Sequence, residues 1–432
     1  MISNNKNYSS RLGAILTMVG VAVGLGNVWR FPYMMGSYGG SAFLVIYLLF
    51  TIMFAFPALI TEMAIGKRIR TGTVDAYRSL FGNSWGGFIG YLLVIVVTIA
   101  GSYYAVVVAN VWFSAGFSIV KGYSVSTNGF YQTLLGNTGL QYLITVLLII
   151  ASLIVSGKGL KKGIERISMI VMPFFVLAIL YMIGYSWMLP GAIDKVGEFL
   201  SPDFGAIGST EVFAALGQAF FSVGLGGTFV IVYSGFLSKE QSVKPLAIFT
   251  GLGDLGSSVL VSLFLVPCML VFGIRMNAGP SLIFNTLPEL FAVIPGGRLI
   301  GSLFMIALSL VAFLSLIAAF QVPLSSLKLK GIRPERLILL FGLLQIVLTF
   351  PSAFFPQIIG ILDLIFGSGM QVLGSVLAIT GVWWGAGRST YRESLFSDQS
   401  SRVAGLSMIW FRFVIPVTLL AVLIGYLYDS FN

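Results

Sequence analysis

The sequence predicts an all-α integral membrane protein with about eleven transmembrane helices, and three observations carry that prediction. Of its 432 residues, 57% are hydrophobic and 9% charged, whereas a soluble globule carries about a quarter charged residues. Apolar runs of about 20 residues recur from end to end, too long for outer-membrane strands and without their alternation. Lysine and arginine gather in alternate loops, as membrane helices of fixed orientation require.

Taken in order, helices are expected near 12–37, 41–66, 86–120, 140–156, 167–188, 211–236, 246–273, 298–327, 334–350, 357–384 and 407–428. The N-terminal MISNNKNYSSR is polar, and the apolar segment behind it is too long and irregular for a signal-peptide core. The first helix is therefore expected to serve as its own insertion signal. The net charge of +10 does not point to nucleic acid, because the basic residues sit in short loops. Lys67, Arg68, Arg70 and Arg78 follow the second span; Lys158, Lys161, Lys162 and Arg166 separate the fourth and fifth; Lys239 and Lys244 follow the sixth. Lys328, Lys330, Arg333 and Arg336 join the eighth and ninth, and Arg388, Arg392 and Arg402 join the tenth and eleventh. The other side has little beyond Lys121, Lys195, Arg275 and Arg298, which puts the N-terminus in the cytoplasm and the C-terminus outside. Cys268 is the only cysteine and there is no histidine, which excludes disulfides, histidine-ligated metals and imidazole catalysis. No nucleophile–base set or metal cluster suggests an enzyme.

Two spans are expected to be interrupted. GVAVGLGNVWRFP, from Gly20 to Pro32, is poor material for an unbroken helix in lipid. Ala22 to Gly26 reads as an unwound hinge between two half-helices, with Asn27 adding a side-chain oxygen; a Gly-rich packing face is the alternative. The sixth span is interrupted at FFSVGLGG, Phe220 to Gly227. The two breaks are five spans apart, and an odd offset reverses direction across the membrane. Interrupted segments in corresponding places of oppositely oriented halves mark a transporter site at the repeat interface. The halves would be about 9–190 and 208–388, in one transporter domain spanning 1–432 with an extra helix at about 405–430. Asn277 to Gly297 would fold back as an extracellular lid or remain a surface loop.

Ionisable side chains inside a bilayer cost about 2.5–3.5 kcal/mol each, which makes Arg30, Glu62, Asp254 and Asp363 functional candidates. Arg30 and Asp363 would pair to close the external entrance, or form a plain structural salt bridge. Glu62 would accept hydrogen bonds from freed N–H groups of the sixth span. Asp254, with Asn27, Ser222 and the Ala22 carbonyl, forms an oxygen set that suits a hard monovalent cation, and Na+ fits better than a transition metal.

The run GNVWRFPY at 26–33, preceded by RLGAILTMVGVAVGL, resembles the helix 1 signature of the neurotransmitter:sodium symporter family, whose bacterial members include LeuT. Tyr103-Tyr104, GQAFFSVGLG at 217–226, KGIE at 162–165 and Asp363 recur at that family's spacing, and the likeness covers about residues 9 to 388. Eleven apparent spans and the lack of N-x-S/T sequons in the extracellular loops resemble the shorter bacterial branch, which implies a multi-pass protein of the bacterial inner membrane.

The resemblance implies a LeuT-like 5+5 inverted repeat. It also implies that the N–H groups of Leu25 and Gly26 and the Tyr104 hydroxyl bind a substrate carboxylate, while carbonyls of Ala22, Phe221 and Ser222 take the ammonium. A half-helix N-terminus is an anion site by dipole and free donors, so that assignment is physically sensible. The first sodium would use Ala22, Asn27, Ser222 and Asp254; the second would use Gly20, Val23, Val311 and Ser315. Ala100, Tyr104, Phe221, Gly224, Gly227, Ser315 and Ala319 would line the side-chain pocket. Several of these are small, which implies a large hydrophobic or aromatic amino acid unless neighbours refill the space.

The chain also departs from the family pattern. Leu314 stands where relatives have a Thr or Asp ligand to the second sodium, so that site has lost one oxygen. Tyr47, Gln218, Ser222 and Ser258 match the chloride ligands of animal members, yet Asp254 should supply the negative charge and make transport chloride-independent. At the cytoplasmic gate Tyr8 replaces a usual Trp and Leu329 an acid, and the N-terminal Arg is missing.

The expected function is a sodium-coupled amino-acid symporter working by alternating access, with a small-molecule amino acid, sodium ions and the lipid bilayer as its partners. An ion channel or a non-transporting amino-acid sensor on the same scaffold is the alternative. The oligomeric state is not legible in the sequence.

Overall fold

The computed structural model describes residues 7–226, 228–275, 279, 281–327, 332–385, 389, 391 and 401–431. All regular structure among them is helical. The first span is a bent pair, α1 (Arg11–Ala22) and α2 (Gly26–Ser37), with 63° between the two axes. α3 (Ser41–Ile69) is the second span, and α4 (Thr73–Phe81) is a short connector. α5 (Asn83–Val120) is the third span; at 1.5 Å per residue its 38 residues run about 57 Å, well beyond the hydrocarbon thickness. α6 (Val125–Leu135), α7 (Thr138–Gly157), α8 (Leu160–Trp187) and α9 (Ala192–Leu200) follow. The sixth span is again a pair, α10 (Ser209–Ser222) and α11 (Phe229–Ser234). α12 (Val243–Phe272), α13 (Leu282–Val293), α14 (Gly297–Ser326), α15 (Pro334–Phe354), α16 (Ile358–Trp384) and α17 (401–431) complete the chain.

Among the described residues nine helices are long and apolar enough to cross a bilayer, and the bent α1/α2 pair makes a tenth. The α10/α11 pair occupies the sixth expected position and completes the eleven. Both sequence-predicted interruptions are therefore present. The lid segment also takes structure, as α13 packs Leu282, Ile283, Leu287, Leu290 and Phe291 inward. Gly227, Leu329, Lys328, Lys330, Asn277, Arg388 and Arg392, and the Arg402 side chain, lie outside the described residues.

Two groups of helices divide the work. α5, α7, α14 and α15 pack on one another, with Trp112 Nε1 donating to the Ser309 carbonyl at 3.0 Å and Gln345 Nε2 to the Thr98 carbonyl at 3.1 Å. Small side chains on α5, among them Ala100, Gly101, Ala105 and Ala109, allow that close approach. The interrupted helices instead pack on α3, α8 and α12. This grouping sets the two breaks beside α12 and leaves α5 and α14 to wall the space between them.

Candidate functional site

The first break has a local cause. Val23 is extended (φ −67°, ψ 122°), which stops α1. Gly24 then turns its N–H to Asn27 Oδ1 at 2.8 Å rather than back to the helix ladder. The last carbonyls of α1, already at a helix end, thus keep free lone pairs. Gly26 opens α2 directly beneath the Phe221 ring: a Cβ there would meet Phe221 Cε1 at 2.9 Å. The Tyr104 hydroxyl lies beside the Leu25 N–H and the Ser315 hydroxyl. A positive helix end, a backbone amide and a hydroxyl thus converge where an anionic group would be stabilised.

The second break relies on left-handed backbone. Gly224 (φ 67°), Gly226 (φ 75°) and Thr228 (φ 61°) turn the chain out of α10 and back into α11. Glycine tolerates this at no steric cost, whereas the buried Thr228 adopts it against preference. The Gly226 N–H donates to Glu62 Oε1 at 2.9 Å, the role expected of Glu62. Gly226 also lies so close to the Gln371 backbone that no side chain fits. Beside Gly224, by contrast, no heavy atom lies within 4 Å of where a Cβ would stand.

The two breaks meet at a buried polar cluster. Asn27 Nδ2 donates to Asp254 Oδ1 at 2.6 Å and to Ser258 Oγ at 2.8 Å, and it lies 3.3 Å from Ser222 Oγ. Ser222 Oγ donates to Asp254 Oδ2 at 2.5 Å. Asp254 and Ser258 are wholly buried, and Asn27 and Ser222 nearly so. A carboxylate in such a place demands a countercharge. The carboxylate and the Ser222 and Ser258 hydroxyls are hard oxygens suited to an alkali cation, while the Asn27 amide presents its nitrogen to them and keeps its oxygen on the Gly24 N–H. Among the described residues no group of three or more His, Cys, Asp or Glu forms a metal cluster.

The other ion-ligand candidates lie on the opposite side of the α1 break. Ser315 Oγ donates to the Val23 carbonyl at 3.1 Å and is 3.5 Å from the Val311 carbonyl. Ala100 and Ala319, both nearly buried, lie on the α5 and α14 walls. At the outer end stand the two residues read as a gate, with the Arg30 charge within electrostatic reach of Asp363. Asp363 Oδ1 accepts from the Tyr103 hydroxyl at 3.0 Å, while the Arg30 guanidinium lies over the Phe221 ring, 5.0 Å from its centroid.

Sequence reasoning missed the contacts of the N-terminal segment. The Ser9 N–H donates to both Glu165 oxygens at 3.0 Å, and Ser9 Oγ donates to Oε1 at 2.5 Å. Tyr8 donates its hydroxyl to the Tyr233 carbonyl at 3.1 Å, and Arg70 Nη2 donates to Asn7 Oδ1 at 2.5 Å. Glu165 is the acid of the KGIE run, but nothing in that run shows what its carboxylate faces. Tyr103 and Phe221 likewise gave no sign that they engage Asp363 and Arg30.

Comparison with known proteins identifies the family and the fold. The sequence model of the sodium:neurotransmitter symporter family matches residues 5–131 and 131–430. An uncharacterised sodium-dependent transporter of Bacillus subtilis is 33% identical over 322 residues, 73% of this chain and 70% of that protein. A human sodium-dependent neutral amino acid transporter is 29% identical over 306 residues, 62% of this chain and 41% of that protein. Among solved structures, MhsT in complex with L-phenylalanine superposes with a TM-score of 0.85 at 28% identity, covering 97% of this chain and 99% of that one.

Proposed function

Since the chain belongs to the sodium:neurotransmitter symporter family, a family of sodium-dependent transporters rather than enzymes, we propose that it is a symporter that couples sodium to large hydrophobic L-amino acids. The observation that carries this reading is the contact of Asn27 and Ser222 with Asp254, which joins both helix breaks at one buried carboxylate. Sodium neutralises that carboxylate; the α2 N-terminus and the Tyr104 hydroxyl take the amino acid's carboxylate, and the carbonyls of Ala22, Phe221 and Ser222 its ammonium. The side chain enters between Ala100, Phe221, Gly224, Ser315 and Ala319. The open space at Gly224 supports a large group, as does L-phenylalanine bound to the related MhsT.

Asp254 supplies the charge that a chloride would otherwise bring, so transport is chloride-independent. The two halves, about 9–190 and 208–388, act as oppositely oriented repeats. The interrupted helices move against α5, α7, α14 and α15, and Phe221 with Arg30 and Asp363 closes the outer side. The N-terminus faces the cytoplasm, a reading that the basic loops support.

Uptake of radiolabelled amino acids into proteoliposomes, with and without a sodium gradient, tests this. Sodium-driven accumulation of phenylalanine or tryptophan above the external concentration is the expected result. Passive equilibration alone would mark a pore, and binding without uptake a sensor.

A further inference from the structure

The two oxygen sets at the α1 break are chemically unequal. One contains the Asp254 carboxylate. The other, Gly20, Val23, Val311 and Ser315, consists of three backbone carbonyls and one hydroxyl and has no charge. Its hydroxyl donates to the Val23 carbonyl at 3.1 Å and has only its lone pairs to offer an ion. Apolar atoms pack on Gly20 beside it. A Cβ added at Gly20 would meet Leu314 Cδ1 at 3.1 Å and Met172 Cγ and Sδ at 3.3 Å. Leu314 and Met172 are buried (3% and 2% exposed), so water does not complete the coordination from their side.

An alkali cation leaves water only where protein oxygens or a compensating charge replace its hydration. Here no charge is present, and Leu314 and Met172 put apolar atoms rather than a further oxygen beside the four neutral ones, so the replacement is incomplete. The same atoms make a good apolar contact, which holds α1 to α14 and α8 without an ion.

From this we infer that the carrier moves one sodium ion per amino acid, and that packing of Gly20 on Leu314 and Met172 replaces a second ion. The inference rests on the symporter reading above. One positive charge then crosses with each zwitterion. With a tenfold sodium gradient and 100 mV, accumulation is limited to several hundredfold, against about 10⁵-fold for two ions.

The test is equilibrium binding of radioactive sodium to the purified full-length protein in saturating L-phenylalanine, alongside the sodium dependence of phenylalanine binding. The wild type is expected to bind one sodium per chain with a Hill coefficient near one. Leu314→Thr, which returns an oxygen and removes the plug, is expected to raise the Hill coefficient towards two. Two sodium ions per wild-type chain would overturn the inference and leave the symporter reading intact. The absence of any sodium-dependent phenylalanine binding would overturn both. Should Leu314→Thr fail to fold, the reversal potential of wild-type uptake decides: a shift matching two charges per phenylalanine refutes the inference, and one charge upholds it.

Discussion

Asn27 and Asp254 lie 227 residues apart in sequence and meet at 2.6 Å, where the Asn27 side chain also holds the Gly24 N–H. One amide therefore shapes the α1 break with its oxygen and reads the state of the α12 carboxylate with its nitrogen. A cation that takes the carboxylate's charge must change what Asn27 donates to, and through Gly24 it acts on the backbone that would hold the substrate.

Asp254→Asn removes the one charge of this cluster. Apparent sodium affinity is expected to fall at least about tenfold, the equivalent of 1.4 kcal/mol. Uptake is expected to become chloride-stimulated, because the Gln218 side chain, four residues before Ser222 on α10, is wholly buried with no hydrogen-bond partner among the described residues. Parallel uptake in chloride and gluconate buffers measures this; a variant with wild-type sodium affinity and no anion effect speaks against the role given to Asp254.

Glu62→Ala strands the buried Gly226 N–H, at an expected cost of about 1–3 kcal/mol. Glu62→Gln keeps an acceptor oxygen and should retain more of the stability. Thermal unfolding of the two variants in detergent should rank them in that order, and equal melting points would show that the carboxyl does not hold the second break.

Glu165→Ala releases Ser9, which gives Glu165 bonds from its N–H and its hydroxyl. Charge-assisted hydrogen bonds contribute about 1.5–3 kcal/mol each, so the N-terminal end of α1 should detach more often. A cysteine at Tyr8, 6% exposed in this structure, reports the opening by thiol labelling; the native Cys268 is wholly buried and adds little background. Labelling several times faster in the Glu165→Ala background is expected, and an unchanged rate would remove Glu165 from inner closure.

Ala319→Leu puts bulk into the proposed side-chain pocket from α14. Overfilling a packed site costs about 1–3 kcal/mol, so tryptophan should lose about tenfold in competition relative to valine. Equal losses for both amino acids would point to general damage and away from a pocket wall.

The sequence by itself determined the class and most of the span boundaries, because lipid allows few solutions and punishes charge in the wrong place. It also located both breaks, since glycine, asparagine and proline cannot sit in a lipid-facing helix without a reason. Glu62 and Asp254 stood out as costly residues in apolar runs. What each polar side chain touches was decided only by tertiary structure. Arg30 lies over Phe221 and Asp363 takes the Tyr103 hydroxyl, contacts that the two charges alone do not show. The tie from Ser9 to Glu165 and the plug of Leu314 against Gly20 join residues more than 150 positions apart. Periodicity and cost per residue are local properties of a chain, whereas partners are chosen by how whole helices pack, and no single segment encodes that choice.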